Sequence, residues 1–145
     1  GREPIIGQDL KEIAAHLDYL NPMIYPQVWG PETFTECGDP ALCPYKVIFD
    51  STAKVREIVP LPTQIRPWLQ GYPKNYRQTG PAAGYDYSVP EYLIQRQAAE
   101  DAGADGWLFW SGGGRFQDEI FGPMPSLAEL EAQIRARQGG RAGPY

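Results

Sequence analysis

Histidine and cysteine are nearly missing from this sequence: His16 stands alone, and Cys37 and Cys43 are the only thiols. A single histidine, on the flank of an expected helix, argues against a Ser–His–acid triad and against a zinc site. No other residue pattern calls for a metal or a cofactor, and none is expected. Basic charge is also short, with 13 Lys and Arg against 18 Asp and Glu and a net charge of −5. Phosphate backbones need a basic surface, so a nucleic-acid partner is not expected. No apolar run approaches the ~20 residues that span a bilayer, so no membrane span is expected in this chain. A signal peptide is not visible either. The sequence begins like the middle of a domain, however, so this says nothing about secretion.

What is present is a core and a heavy load of rings. Apolar residues make up 42% of the 145 positions, with four Trp, nine Tyr, 15 Pro and 16 Gly. Rings either fill a core or stack on the C–H faces of sugars, and composition alone leaves both open. The prolines and glycines imply long, shaped loops. Cys37-Gly38-Asp39-Pro40-Ala41-Leu42-Cys43 is rich in turn residues and could bring its two sulfurs together. A small disulfide there would suit an oxidising compartment, at the cell envelope or outside the cell. Two unrelated reduced thiols are the alternative.

Helices and strands alternate along the chain. Leu10, Ile13, Ala14 and Leu17 recur at helical spacing over residues 8–17. Residues 19–26 read as a buried strand in which Pro22, unable to donate to a ladder, could be accommodated at a bulge. A loop at 27–44 carries Trp29 and Phe34, and a helix over 45–57 ends before Pro60 and Pro62. The second strand is expected at 65–70, followed by a loop at 71–87 with Tyr72, Tyr76, Tyr85 and Tyr87. Ser88 and Glu91 form a capping box that opens a helix to Ala102, with Gly103 as its left-handed terminus. Residues 106–110 are apolar throughout, which predicts a third strand covered on both faces. A turn over 111–115 follows. Ser126 and Glu129 box the last helix, which leaves residues 139–145 as a flexible tail. This alternation implies parallel pairing through right-handed crossovers. The strand ends lie roughly 40–45 residues apart, against ~30 per unit in a lean barrel, and the excess sits in loops after strands. Those loops build active sites in parallel α/β folds.

Three blocks also carry a family resemblance: 18–26 around Asn21-Pro22-Met23-Ile24-Tyr25-Pro26, 65–70 around Arg66-Pro67-Trp68, and 99–110 ending in Trp107-Leu108-Phe109-Trp110. In this order they resemble the family of bacteria and archaea called "putative glycosyl hydrolase domain", over residues 6 to about 134. The resemblance implies an α/β fold, specifically the C-terminal part of a TIM (β/α)8 barrel over residues 1–138. About three parallel strands with four helices would correspond to strands six to eight, with the N-terminal barrel half missing upstream. It also implies that the general acid lies after an earlier strand, outside this chain. More distantly, Tyr25 and Trp110 are similar to chitinase-type positions where a tyrosine and a tryptophan hold the sugar at the cleavage subsite. Pro26 departs from that pattern, since an acid commonly follows the tyrosine. Gly71 departs as well, at a position where relatives carry an acidic residue.

Barrel glycosidases need two carboxyl groups beside the scissile bond. Here the strand ends carry Tyr25, Gln70 and Trp110, and none is an acid. The acids Glu32, Glu36, Asp39, Asp86, Asp118 and Glu119 lie in loops, where solvated charges are the ordinary explanation. The expected substrate-binding residues are therefore Tyr25, Gln70 and Trp110, joined by Trp29 and Tyr72 on loops of the same face. Each also has a plain structural reading as core filling or an interior hydrogen bond. The expected partner is an oligo- or polysaccharide, with glycosidic-bond hydrolysis as an activity of the intact protein. Two alternatives remain: a non-catalytic polysaccharide-binding or cell-envelope protein, and a barrel acting on a phosphorylated metabolite through Ser111-Gly112-Gly113-Gly114-Arg115. Open sheet edges further predict either pairing with the missing half or self-association.

Overall fold

A computed structural model describes residues 8–74 and 78–139. Tyr76 and residues 140–145, most of the expected tail, lie outside this described part. The fold is mixed α/β, with four α-helices and parallel strands.

The first helix, α1 (Leu10–Ala14), opens at Asp9, whose carboxylate accepts the N–H groups of Lys11 and Glu12 at 3.0 and 3.2 Å. It is shorter than the 8–17 periodicity predicts. The next two bonds tighten to the third residue back, His16 to Ile13 and Leu17 to Ala14. Thr63 Oγ1 also donates to the carbonyls of Ala14 and Leu17, at 2.8 and 3.0 Å, and ties this tightened end to the segment around residue 63. Helix α2 spans Pro44–Ile58 and begins with its proline in the first turn, where no N–H is missed. Helix α3 (Val89–Asp101) and helix α4 (Leu127–Gln138) both start at the expected capping boxes. Gly103 follows α3 with φ +81°, and Gly139 ends α4 in the left-handed region. Among the described residues no helix is long and apolar enough to cross a membrane.

Each of the first two expected strands is divided in two. Strands β1 (Tyr19–Leu20) and β2 (Met23–Ile24) flank Pro22, and β3 (Gln64–Ile65) and β4 (Trp68–Gln70) flank Pro67. Strand β5 is Leu108–Trp110. β1 pairs with β3, and β2, β4 and β5 form a three-stranded sheet in that order, all parallel. Pro22 is accommodated without a bulge. Tyr19 pairs with Gln64 and Met23 with Trp68 in one unshifted register, so Pro22 and Pro67 fall opposite each other and the ladder only loses donors. The carbonyls still work, with Trp68 N–H on Pro22 O at 2.9 Å and Leu108 N–H on Pro67 O at 3.0 Å. Ahead of β5, the Asp105 carboxylate takes the Ile65 N–H at 2.8 Å and also pairs with Arg56.

Alternate residues of a strand face opposite sides of its sheet. Ile24, Leu69 and Phe109 stand in one row across the three strands and are buried against Val47 and Ile48 of α2 and Ala98 and Ala99 of α3. Ile65 extends that face toward Ala14 and Val55, and α4 packs on α3 through Leu130 and Ile134. Among the described residues no helix covers the opposite face. Met23 there is 70% exposed and Trp110 is 45% exposed, so the third strand is not sheathed on both sides as its apolar composition predicts.

The segment after β2 is not an open loop. It holds short 3-10 turns at Pro26–Val28, Thr35–Cys37 and Pro40–Leu42. Cys37 and Cys43 are joined by a disulfide with Cα atoms 5.9 Å apart, both residues buried in the core. Closing so short a loop contributes about 2 kcal/mol in the chain-entropy account. Tyr87 OH donates to Ala41 O at 2.7 Å and Gln138 Nε2 to Leu42 O at 2.8 Å, tying this segment to the later loop and to α4.

The two faces predict different costs. Leu69→Ala, on the covered face, should lower unfolding free energy by about 2–5 kcal/mol. Met23→Ser, on the open face, should change it by less than about 0.5 kcal/mol. Denaturant titration of the two variants checks this, and a large loss for Met23→Ser would mean that the open face is covered in solution.

Candidate functional site

The C-terminal ends of β2, β4 and β5 bring three rings together. Tyr25 directly follows β2, Trp110 ends β5, and Tyr72 lies two residues beyond β4. Their centroids are 5.9 Å apart for Tyr25 and Trp110, 6.2 Å for Tyr25 and Tyr72, and 5.5 Å for Tyr72 and Trp110. The Tyr72 ring meets the Trp110 indole edge-on at 90°, a favourable aromatic arrangement. Tyr25 is half-buried, and its hydroxyl has no hydrogen-bond partner among the described residues. Desolvation raises its pKa above the ordinary 10.0, so the phenol remains a neutral donor at physiological pH.

Beside this trio lies a cleft of about 770 Å³. Tyr72, Pro73 and Lys74 from the loop after β4 form one wall, and the segment from Trp110 to Gln117 supplies the other. Val28 closes one side, with Tyr87, Tyr92 and Ile120 behind. The volume is in the range of small-molecule sites, and the position is where parallel α/β folds place them. The lining is mostly apolar or aromatic, with polarity from Ser111, Gln117 and the glycine backbone. Among the described residues its charged side chains are Lys74 and Arg115. Sequence reasoning assigned Phe116 no role and weighed Arg115 only for phosphate. The signal available was their place just after a strand end.

Gln70, expected to bind substrate with an interior hydrogen bond as the alternative, takes the interior bonds. It is fully buried, and its amide is used inside the protein: Oε1 accepts the Gln27 N–H at 3.4 Å and Nε2 donates to Tyr72 O at 3.1 Å. It thus links the segments after β2 and β4. Gln95 on α3 binds the backbone of Gln70 at both ends, accepting its N–H at 3.0 Å and donating to its carbonyl at 3.2 Å. The ladder between β2 and β4 stops there, and buried backbone groups must find partners elsewhere. Trp29 packs edge-on against Phe34 at 6.1 Å beside the core and does not line the cleft.

The loop acids stay apart from the cleft. Glu36 pairs with Lys46 at 3.1 Å, Asp39 caps the turn at Ala41, and Asp118 and Glu119 are exposed on the Asp118–Phe121 turn. None of the six lines it. At Gly71 a Cβ would come within 2.9 Å of both the Trp110 carbonyl oxygen and Phe116 Cε1, so an acidic side chain could not enter without moving the wall. Among the described residues no three His, Cys, Asp or Glu side chains gather as metal ligands.

A sequence model of the family described as "putative glycosyl hydrolase domain" matches residues 2–116. The chain belongs to that family. The match includes all five strands, the aromatic trio and the cleft wall as far as Phe116. No curated protein and no solved structure matches the chain.

Gly71→Ala tests whether the wall is as tight as its geometry says. The added methyl should cost about 1–3 kcal/mol in stability through overpacking, measured by thermal or chemical unfolding. An unchanged midpoint would show that the Phe116 wall moves freely.

Proposed function

We propose that this chain supplies the saccharide-binding side of a carbohydrate-active (β/α)8 barrel, which hydrolyses glycosidic bonds in the intact protein. The observation that carries the proposal is Trp110, 45% exposed at the end of β5 and forming part of the cleft wall beside Tyr72. A large ring held by neighbouring rings, yet half open to solvent, is suited to stack on a sugar. The hydroxyl of half-buried Tyr25, without a partner among the described residues, is suited to bind a sugar oxygen.

Two features support the barrel. The strands neighbour one another in chain order, without the reversal of a doubly wound sheet. Among the described residues helices stand on one face only, while Tyr19, Met23, Trp68, Leu108 and Trp110 alternate onto the other, where a barrel keeps its interior layers. The partner of that open face is proposed to be the upstream half of the barrel or, failing that, another copy of the chain.

A second reading has its own support. Among the described residues the cleft carries no carboxylate, and the space at Gly71 is taken. A polysaccharide-binding protein of the cell envelope that cleaves nothing would look the same on these residues. The Cys37–Cys43 disulfide suits the oxidising location this requires.

Affinity electrophoresis through polysaccharide gels tests the binding claim. The wild-type chain should be retarded by at least one polysaccharide. Trp110→Ala should bind about tenfold more weakly, the equivalent of about 1.4 kcal/mol. Equal retardation of the variant would remove Trp110 from the site.

A further inference from the structure

Helix α4 packs on α3 by apolar contact, with Leu130 and Ile134 buried against Leu93 and Ile94. Its last turn does something different. The Arg137 guanidinium divides its donors between two segments, with Nε on Glu91 Oε1 at 3.0 Å and Nη2 on the Asp86 carbonyl at 2.8 Å. Gln138 beside it donates to Leu42 O at 2.8 Å, inside the loop that the Cys37–Cys43 disulfide closes.

Both Arg137 acceptors stand next to cleft residues. Asp86 precedes Tyr87 and Glu91 precedes Tyr92, and both tyrosines line the back of the cleft. The Tyr87 N–H donates to Pro73 O at 2.9 Å, so the segment that Arg137 holds is itself bonded to the front wall. Glu91 is fully buried and also accepts from the Ser88 N–H at 2.8 Å and from the Tyr85 hydroxyl. A buried carboxylate bound by several donors at once has few other arrangements open to it.

We propose that Arg137 is a positioning residue for the cleft. Its bridge between Glu91 and Asp86 places Tyr87 and, through the bond from Tyr87 to Pro73, the wall that Tyr72 and Pro73 present to a saccharide. This rests on the saccharide-binding function proposed above and adds what holds the site in shape. A lysine would keep the charge opposite Glu91, but it offers one nitrogen where the guanidinium offers a planar fork. The bridge, rather than the charge, is what the site depends on.

Removing Arg137 alone would strand a buried carboxylate and destabilise the whole chain. Two variants avoid that: Arg137→Lys keeps the charge pair, and Glu91→Gln/Arg137→Met removes both charges together. Each is titrated calorimetrically with cello-, xylo-, manno-, chito- and galacturonohexaose, and amide hydrogen exchange is followed in the same samples. At least one hexasaccharide should bind the wild-type chain, and both variants should bind it about fivefold more weakly. The Tyr87 amide should exchange faster in both, while the Trp68 amide, bonded to Pro22 O within the sheet, keeps its protection. A residue that merely anchored α4 would lower the thermal midpoint and leave the affinity of the folded chain unchanged. Wild-type affinity in either folded variant, or an unchanged Tyr87 amide, overturns the positioning role and leaves saccharide binding standing. No binding of any hexasaccharide by the wild-type chain overturns both.

Discussion

A parallel sheet has two faces, and among the described residues of this protein the helices pack on only one. The row Ile24, Leu69 and Phe109 is sealed against α2 and α3, and Ile65 continues it against α1 and α2. This burial holds the strands in register even though Pro22 and Pro67 face each other and remove donors from the ladder. Because strand side chains alternate, fixing that row also fixes the opposite one. Tyr25 and Trp110 reach the open side at the strand ends because their neighbours Ile24 and Phe109 are buried.

The polar groups around the strand ends convert this geometry into a defined rim. Gln95 holds the backbone of Gln70 at both N–H and carbonyl, and the Gln70 side chain joins the segments after β2 and β4. On the outer side Arg96 binds the carbonyls of Ile120 and Gly122 at 3.3 and 2.9 Å, fixing the turn behind the cleft. Buried Glu91 accepts from Ser88 and Arg137 and from the Tyr85 hydroxyl, so α4 and the loop before α3 share one carboxylate. Such networks stabilise a structure only when their members are all satisfied. Here they fix the loops from behind and leave the front of the cleft to aromatic rings, Lys74 and Arg115.

Much of this was legible in the sequence, for identifiable reasons. The helix starts at Ser88 and Ser126 were visible because a capping box is a local pattern, and Gly103 marked a helix end for the same reason. The α/β class followed from the alternation of periodic segments. The pairing of Pro22 with Pro67 was not visible, because register between strands is a long-range property. The one-sided cover of β5 was misjudged because Trp107, Leu108 and Trp110 are apolar whether or not a layer covers them. Between a substrate contact and an interior hydrogen bond the sequence could not decide for Gln70, because nothing local announces Gln27 and Gln95 as its neighbours. The cleft combines Lys74 with Arg115 and Phe116 from two separate loops, and no spacing rule connects them.

Saccharide binding at this rim places the ligand against Tyr25 and Trp110, at the ends of β2 and β5. Nuclear magnetic resonance of the tryptophan indoles in a ¹⁵N-labelled chain reads them individually during titration with a binding oligosaccharide. The Trp110 indole signal should move and saturate with the ligand. The Trp107 signal, from an indole whose N–H binds Glu100 at 2.9 Å on the helix side, should stay in place. Saturable binding with an unmoved Trp110 signal would contradict the account.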